Sequence, residues 1–148
     1  MRNYRDLQVW KKAHNLTLAL YRVSQGFPRA EIYGITSQLR RAAVSIGAKL
    51  AEGCGRRTST ELARFVRIAL GSASELDYHL LLSRDLEFIV AEEFTSALAA
   101  LIEVRKVLTS FLNSVDETNR NTIQSGRNIV INGETENLWS YYADSCSC

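Results

Sequence analysis

The sequence predicts an all-α protein: an antiparallel up-down four-helix bundle over residues 1–115, followed by a polar, disordered C-terminal tail over 116–148. Three observations carry this. Apolar residues recur at intervals of three and four along four separate stretches, as they do on one face of a helix. No strand-like alternation competes with them before residue 115. Beyond it the apolar spacing stops, and Asn, Ser, Thr and Gly take over.

The first helix is expected from Asp6, a plausible N-cap, to about Gly26, with a stripe of Leu7, Trp10, Ala13, Leu16, Leu20 and Val23. Pro28, the only proline, follows Gly26-Phe27 and forces a connection that runs to Tyr33-Gly34. The second helix takes Ile35 to Glu52. At 100° per residue, Ile35, Leu39, Ala42, Ala43, Ile46 and Leu50 fall in one sector and form its core stripe. Gly53 and Gly55 would end it, supplying a left-handed C-terminal conformation cheaply.

The third helix opens at Thr58-Ser-Thr-Glu61, a capping-box pattern. It runs to about Leu86 on Leu62, Phe65, Ala69, Ala73, Leu76 and Leu80. The fourth runs from about Ala91 to Val115 through Phe94, Leu98, Leu101, Val104 or Arg105, Leu108 and Leu112. Short connections between four such helices favour antiparallel neighbours. In the tail, Arg127–Glu134 could form a short extended segment with an Asn-Gly turn, but it lacks a second strand.

A chain of 148 residues with 46% hydrophobic content can bury a core without staples. Cys54 stands alone, and Cys146 and Cys148 are too close together for an unstrained bridge, so a reducing, cytoplasmic setting is expected. No apolar run of membrane-spanning length occurs, and Met1–Asp6 has no apolar leader core, so no membrane and no export are expected.

The net charge of +2 hides an asymmetry. Residues 1–39 carry +4 and residues 40–67 carry +5, whereas 68–103 carry −6 and 104–148 carry −1. The basic stretch contains Arg40, Arg41, Lys49, Arg56, Arg57, Arg64 and Arg67. Arg56 and Arg57 precede the third helix, whose positive amino end would reinforce their attraction for phosphate. Such contacts bring affinity without sequence readout, and a strong dependence on salt. A helix-turn-helix fits less well, because the helix after the turn is longer than a recognition helix needs.

The outer face of the second helix carries Arg41, Val44, Ser45, Ala48, Ala51 and Glu52 in place of the Lys/Glu-rich surface usual for a solvated helix. Val44, Gly47, Ala48 and Ala51 are therefore expected to meet another subunit, although an alanine-rich exterior also follows from helix propensity alone. Gly47 in mid-helix is unfavourable by about 1 kcal/mol relative to alanine, which close approach or a local bend would justify.

The sequence offers no catalytic constellation. His14 and His79 are single and far apart, and Glu75 and Asp77 diverge around their helix. No Glu-x-x-His repeat of a di-iron bundle occurs. Gly53-Cys-Gly55 lacks the preceding strand and the Gly-Lys-Ser/Thr of a phosphate loop, and Cys54 reads as a passive turn residue. Cys146-Ser-Cys148 lacks further ligands for a metal. No enzyme, cofactor or metal is expected.

Five blocks carry a resemblance. Tyr4-Arg-Asp-Leu-Gln-Val-Trp-Lys-Lys-Ala13, Phe27-Pro-Arg-Ala-Glu-Ile-Tyr-Gly34, Ser37-Gln-Leu-Arg-Arg-Ala-Ala-Val-Ser-Ile46, Ala51-Glu-Gly-Cys-Gly-Arg56 and Arg64-Phe-Val-Arg-Ile-Ala-Leu-Gly-Ser-Ala73 follow in order. Over about residues 4–114 the chain resembles the four-helix-bundle proteins encoded in intervening sequences of bacterial large-subunit ribosomal RNA genes. That family includes the accessory variability determinant of diversity-generating retroelements.

The resemblance implies a ring-like homopentamer with a basic surface and no enzymatic activity. In the retroelement branch it implies binding to a reverse transcriptase and to RNA or DNA. Arg40, Arg41, Arg56, Arg64 and Arg67 match the family's basic positions, and Lys49 and Arg57 are added on charge alone. The chain departs from the pattern at Gly47, where proline is usual, and at Lys49, where asparagine is frequent. The competing expectation is a protein-interaction scaffold, in which the acidic stretch Glu75–Glu103 docks on a neighbour's basic one without nucleic acid.

Overall fold

The computed structural model describes residues 3–126. The Arg127–Glu134 segment and Cys146-Ser-Cys148 lie outside the described residues. Four helices make up the bundle: α1 (Gln8–Val23), α2 (Ile35–Cys54), α3 (Ser59–Asp85) and α4 (Ala91–Gly126). Each packs on its neighbours in sequence, and α1 closes on α4.

The ends of α1 differ from expectation. Asp6 is not its cap: residues Tyr4–Asp6 form a 3-10 turn capped by the Asn3 side chain, and α1 starts after Leu7 without a side-chain cap. Leu7 is extended and half-buried, so it enters by packing on the core instead of by capping. At the other end α1 tightens after Val23 into a 3-10 turn over Ser24–Gly26, which delivers Phe27 into the core.

At the start of α2, Gly34 is the cap residue and the Glu31 carboxylate accepts the Ile35 N–H at 3.3 Å. All six residues of the expected α2 stripe are buried. The helix continues unbroken through Gly47 to Cys54. No described residue between Gly47 and Gly55 has positive φ, so the glycines do not supply a left-handed turn. Gly53 serves close approach instead: a Cβ there would stand 2.9 Å from the Phe65 Cβ and 3.0 Å from the Leu62 Cδ1. Cys54 is buried as the last residue of α2, not exposed in a turn.

In α3, the Thr58 hydroxyl accepts the Glu61 N–H at 3.2 Å, as the Thr-x-x-Glu pattern predicts. The whole predicted stripe is buried, from Leu62 to Leu80. The helix closes with Glu87 at φ 59°, its neighbour Phe88 donating back to the Ser83 carbonyl at 2.9 Å. That is the left-handed cap which a glycine usually supplies.

α4 is longer than its apolar pattern, running past Val115 to Gly126. Its buried row is Ala97, Leu101, Val104, Leu108, Phe111 and Val115; Phe94, Leu98 and Leu112 sit at the margin. Beyond Val115 polar partners replace apolar burial. Ser59 at the start of α3 hydrogen-bonds Asn119, and Thr118 and Thr122 return their hydroxyls to the carbonyls of Ser114 and Thr118.

Candidate nucleic-acid interface

The turn between α2 and α3 brings two members of the basic stretch around one aromatic ring. Arg56 stacks its guanidinium 5.0 Å from the Phe65 centroid, and the Lys49 ammonium stands 5.8 Å from it. Glu52 accepts from both, at 2.9 Å each. Those hydrogen bonds, from Lys49 first and Arg56 second, hold the Glu52 carboxyl below the usual glutamate range. All three side chains are solvent-exposed, so the cluster behaves as a screened net charge of about +1.

Two more cations are committed elsewhere. Arg40 is held within the bundle. Its Nε donates to the buried Ser24 Oγ at 2.8 Å, its Nη2 to the Tyr21 carbonyl, and its guanidinium lies 4.7 Å over the Tyr21 ring. It binds the carboxyl end of α1 to α2, where a cation is favoured by the helix dipole. Arg67 reaches across to Asp116 on α4.

Arg41, Arg57 and Arg64 are exposed and make no ion pair or hydrogen bond among the described residues. Of the two acids of the same stretch, Glu52 lies between Lys49 and Arg56, while Glu61 accepts the neutral Thr58 hydroxyl at 3.2 Å and makes no ion pair among the described residues. The exposed surplus of residues 40–67, Arg41, Arg57 and Arg64 against Glu61, is therefore net positive.

These three cations do not form one tight cluster. The Ser45 and Ser72 hydroxyls meet at 2.9 Å and set the register of the antiparallel pair. Arg64 then lies level with about Gly53, roughly 18 Å along the axis from Arg41. The charges line the length of the pair, Arg57 at the turn and Arg41 toward the start of α2.

Between them lies the small-residue face. Val44 is 44% exposed, Ala48 is exposed and Ala51 half-buried. Exposed Ile68 and Gly71 extend the small and apolar character onto α3. Gly47 turns away from this face: a Cβ there would stand 3.5 Å from the Trp10 Nε1, so the glycine admits the indole of α1.

The sequence did not single out Tyr21, Ile32 and Tyr33, which gather beside Arg40 and Arg41 around an open depression. The available signal was that Ile32 and Tyr33 belong to neither flanking stripe. His14 stacks on Trp10 at 4.8 Å, while His79 sits 3.4 Å from Glu75 with a buried Nδ1 lacking a partner among the described residues. No three His, Cys, Asp or Glu residues gather as a metal site among the described residues. No described helix is long and apolar enough to cross a membrane.

Comparison with curated proteins gives no match. Among solved structures, the chain is similar to a protein of unknown function from the S23 ribosomal protein family of Bacteroides thetaiotaomicron. The TM-score is 0.68 at 24% identity, over 73% of this chain and 97% of that one, a likeness of fold. The family model of the 23S rRNA-intervening sequence protein matches residues 5–110, from the turn before α1 into α4. Because that match extends over most of its length, the chain belongs to the 23S rRNA-intervening sequence protein family.

Proposed function

We propose that this chain is a non-catalytic, oligomeric nucleic-acid-binding protein that attracts phosphate through the α2–α3 side of the bundle. The observation that carries the reading is the surplus left after internal pairing: Arg41, Arg57 and Arg64 have no partner among the described residues, Glu52 is paired with Lys49 and Arg56, and Glu61 is the one acid of residues 40–67 outside an ion pair. Single exposed arginines bind phosphate weakly, and several copies on one particle would add by avidity. The exposed Val44–Ala48 face supports assembly, since small side chains let helices approach closely. The finer reading, suggested by the resemblance in sequence, is an accessory protein beside a reverse transcriptase. A reverse transcriptase gene and a variable repeat next to this gene would support it, and a position inside a ribosomal RNA gene would oppose it.

The test is a salt titration of binding to a structured RNA. Affinity should fall steeply with ionic strength, and Arg57→Glu with Arg64→Glu should flatten the logarithmic slope by about 2 for each subunit engaged. Affinity indifferent to both salt and the substitutions would leave the protein-interaction scaffold as the better account. A monomeric mass by light scattering at micromolar concentration would remove the avidity argument.

A further inference from the structure

Between the end of α1 and the outer face of α2 lies an open depression of about 570 Å³. Its aromatic end is made by Tyr21, Ile32 and Tyr33, and from there Ser37, Arg41 and Val44 follow along α2. Tyr33 is 93% exposed and Ile32 54% exposed, so neither belongs to the core of the bundle. Part of the lining is fixed: the Tyr21 ring carries the Arg40 guanidinium at 4.7 Å, and Arg40 is itself held by Ser24. Arg41 has no ion pair or hydrogen bond among the described residues.

We propose that this depression takes an unpaired base of a single-stranded nucleic acid, stacked on Tyr33 with a flanking phosphate at Arg41. The inference rests on the nucleic-acid reading above and adds strand type to it. An exposed aromatic ring offers a face on which any base stacks, and an adjacent unpaired arginine supplies the anionic backbone with its counter-charge. A neutral apolar partner would leave Arg41 uncompensated, so charge complementarity favours a polyanion that carries flat rings. Duplex bases are stacked on one another and cannot reach Tyr33, whereas unpaired bases in loops and single strands can. Duplex phosphates would still meet Arg41, Arg57 and Arg64 without using the tyrosine.

The experiment compares the full chain with Tyr33→Ala and Tyr33→Phe, against oligo-U, oligo-dT and a blunt duplex at one salt concentration. Tyr33→Ala should weaken binding of the single strands by about tenfold and leave the duplex unchanged. Tyr33→Phe, which keeps the ring, should bind as the native chain does. The oligo-U and oligo-dT arms decide whether the sugar is read. If the native chain binds no nucleic acid at low salt, the underlying reading and this one fail together. Binding of single strand and duplex alike, unmoved by Tyr33→Ala, would overturn the stacking site alone. A change of particle mass in Tyr33→Ala would instead assign the ring to a contact with a second copy of the chain, and would also overturn it.

Discussion

One guanidinium nitrogen of Arg67 on α3 reaches both carboxylate oxygens of Asp116 on α4, at 2.9 and 2.7 Å. The pair stands where the apolar stripe of α4 ends, one residue beyond Val115, and a polar stretch of helix follows it. Arg67 is thereby spent on the bundle, although by charge alone it belongs with the phosphate-binding candidates. Both groups remain partly exposed, so the coupling should be modest. A double-mutant cycle with Arg67→Ala and Asp116→Ala is expected to give about 0.2–1 kcal/mol, shrinking in high salt. Amide exchange in α4 beyond Asp116 should quicken in either variant. Unchanged exchange there would mean that the pair does not hold the end of the helix.

Glycine replacements on α2 and α3 should act in opposite directions. Gly53→Ala forces a methyl against Phe65 and Leu62, and the overpacking should cost about 1–3 kcal/mol, outweighing the gain of about 1 kcal/mol in helix propensity. At Gly71 nothing lies within 4 Å of the new Cβ, so Gly71→Ala should raise stability by up to about 1 kcal/mol. Urea unfolding of the two variants checks both signs.

Arg40 and Arg41 are adjacent but should separate in their effects. Arg40→Ala strips a hydrogen bond from buried Ser24 and a cation from the Tyr21 ring, at an expected cost of about 1–3 kcal/mol in stability. Lysine should not restore it, because the contact uses the planar guanidinium. Arg41→Ala should leave unfolding nearly unchanged and lower RNA affinity. Equal loss of stability in both would contradict the assignment of Arg40 to the α1–α2 junction.

Acid should loosen the α2–α3 turn. The Glu52 carboxyl has a pKa lowered by its hydrogen bonds to Lys49 and Arg56. A depressed folded pKa gives stability that is complete above the unfolded glutamate value of about 4.3 and is lost as pH falls through the folded value. Unfolding measured from pH 6 downward should therefore show a shallower acid decline in Glu52→Gln than in the native chain. The same substitution releases Lys49 and Arg56, so at neutral pH it should strengthen RNA binding. Identical acid profiles would show that the two hydrogen bonds contribute nothing in solution.

How much was legible from the sequence depended on distance along the chain. The stripes of α2 and α3 emerged complete, because burial of Leu39, Ile46, Phe65 and Leu76 follows from a 3.6-residue repeat acting within one helix. The Thr58–Glu61 cap was equally local. At α1 the pattern pointed to Asp6 as a cap, but Leu7 packing on the core set the start. On α4 the pattern named Phe94, Leu98 and Leu112, which sit at the margin, whereas contact with α1 and α3 buries Ala97, Val104 and Phe111.

The sequence by itself determined the all-α class, the four helices, most of the core and the concentration of positive charge between Arg40 and Arg67. Only the tertiary structure decided which of those charges remain available, since Arg40 meets Ser24 and Arg67 meets Asp116 across gaps of 16 and 49 residues. Helical periodicity is a property of the local backbone and is written into neighbouring residues. The partner of an arginine is set by the register in which whole helices pack, and that register is fixed by the core as a unit.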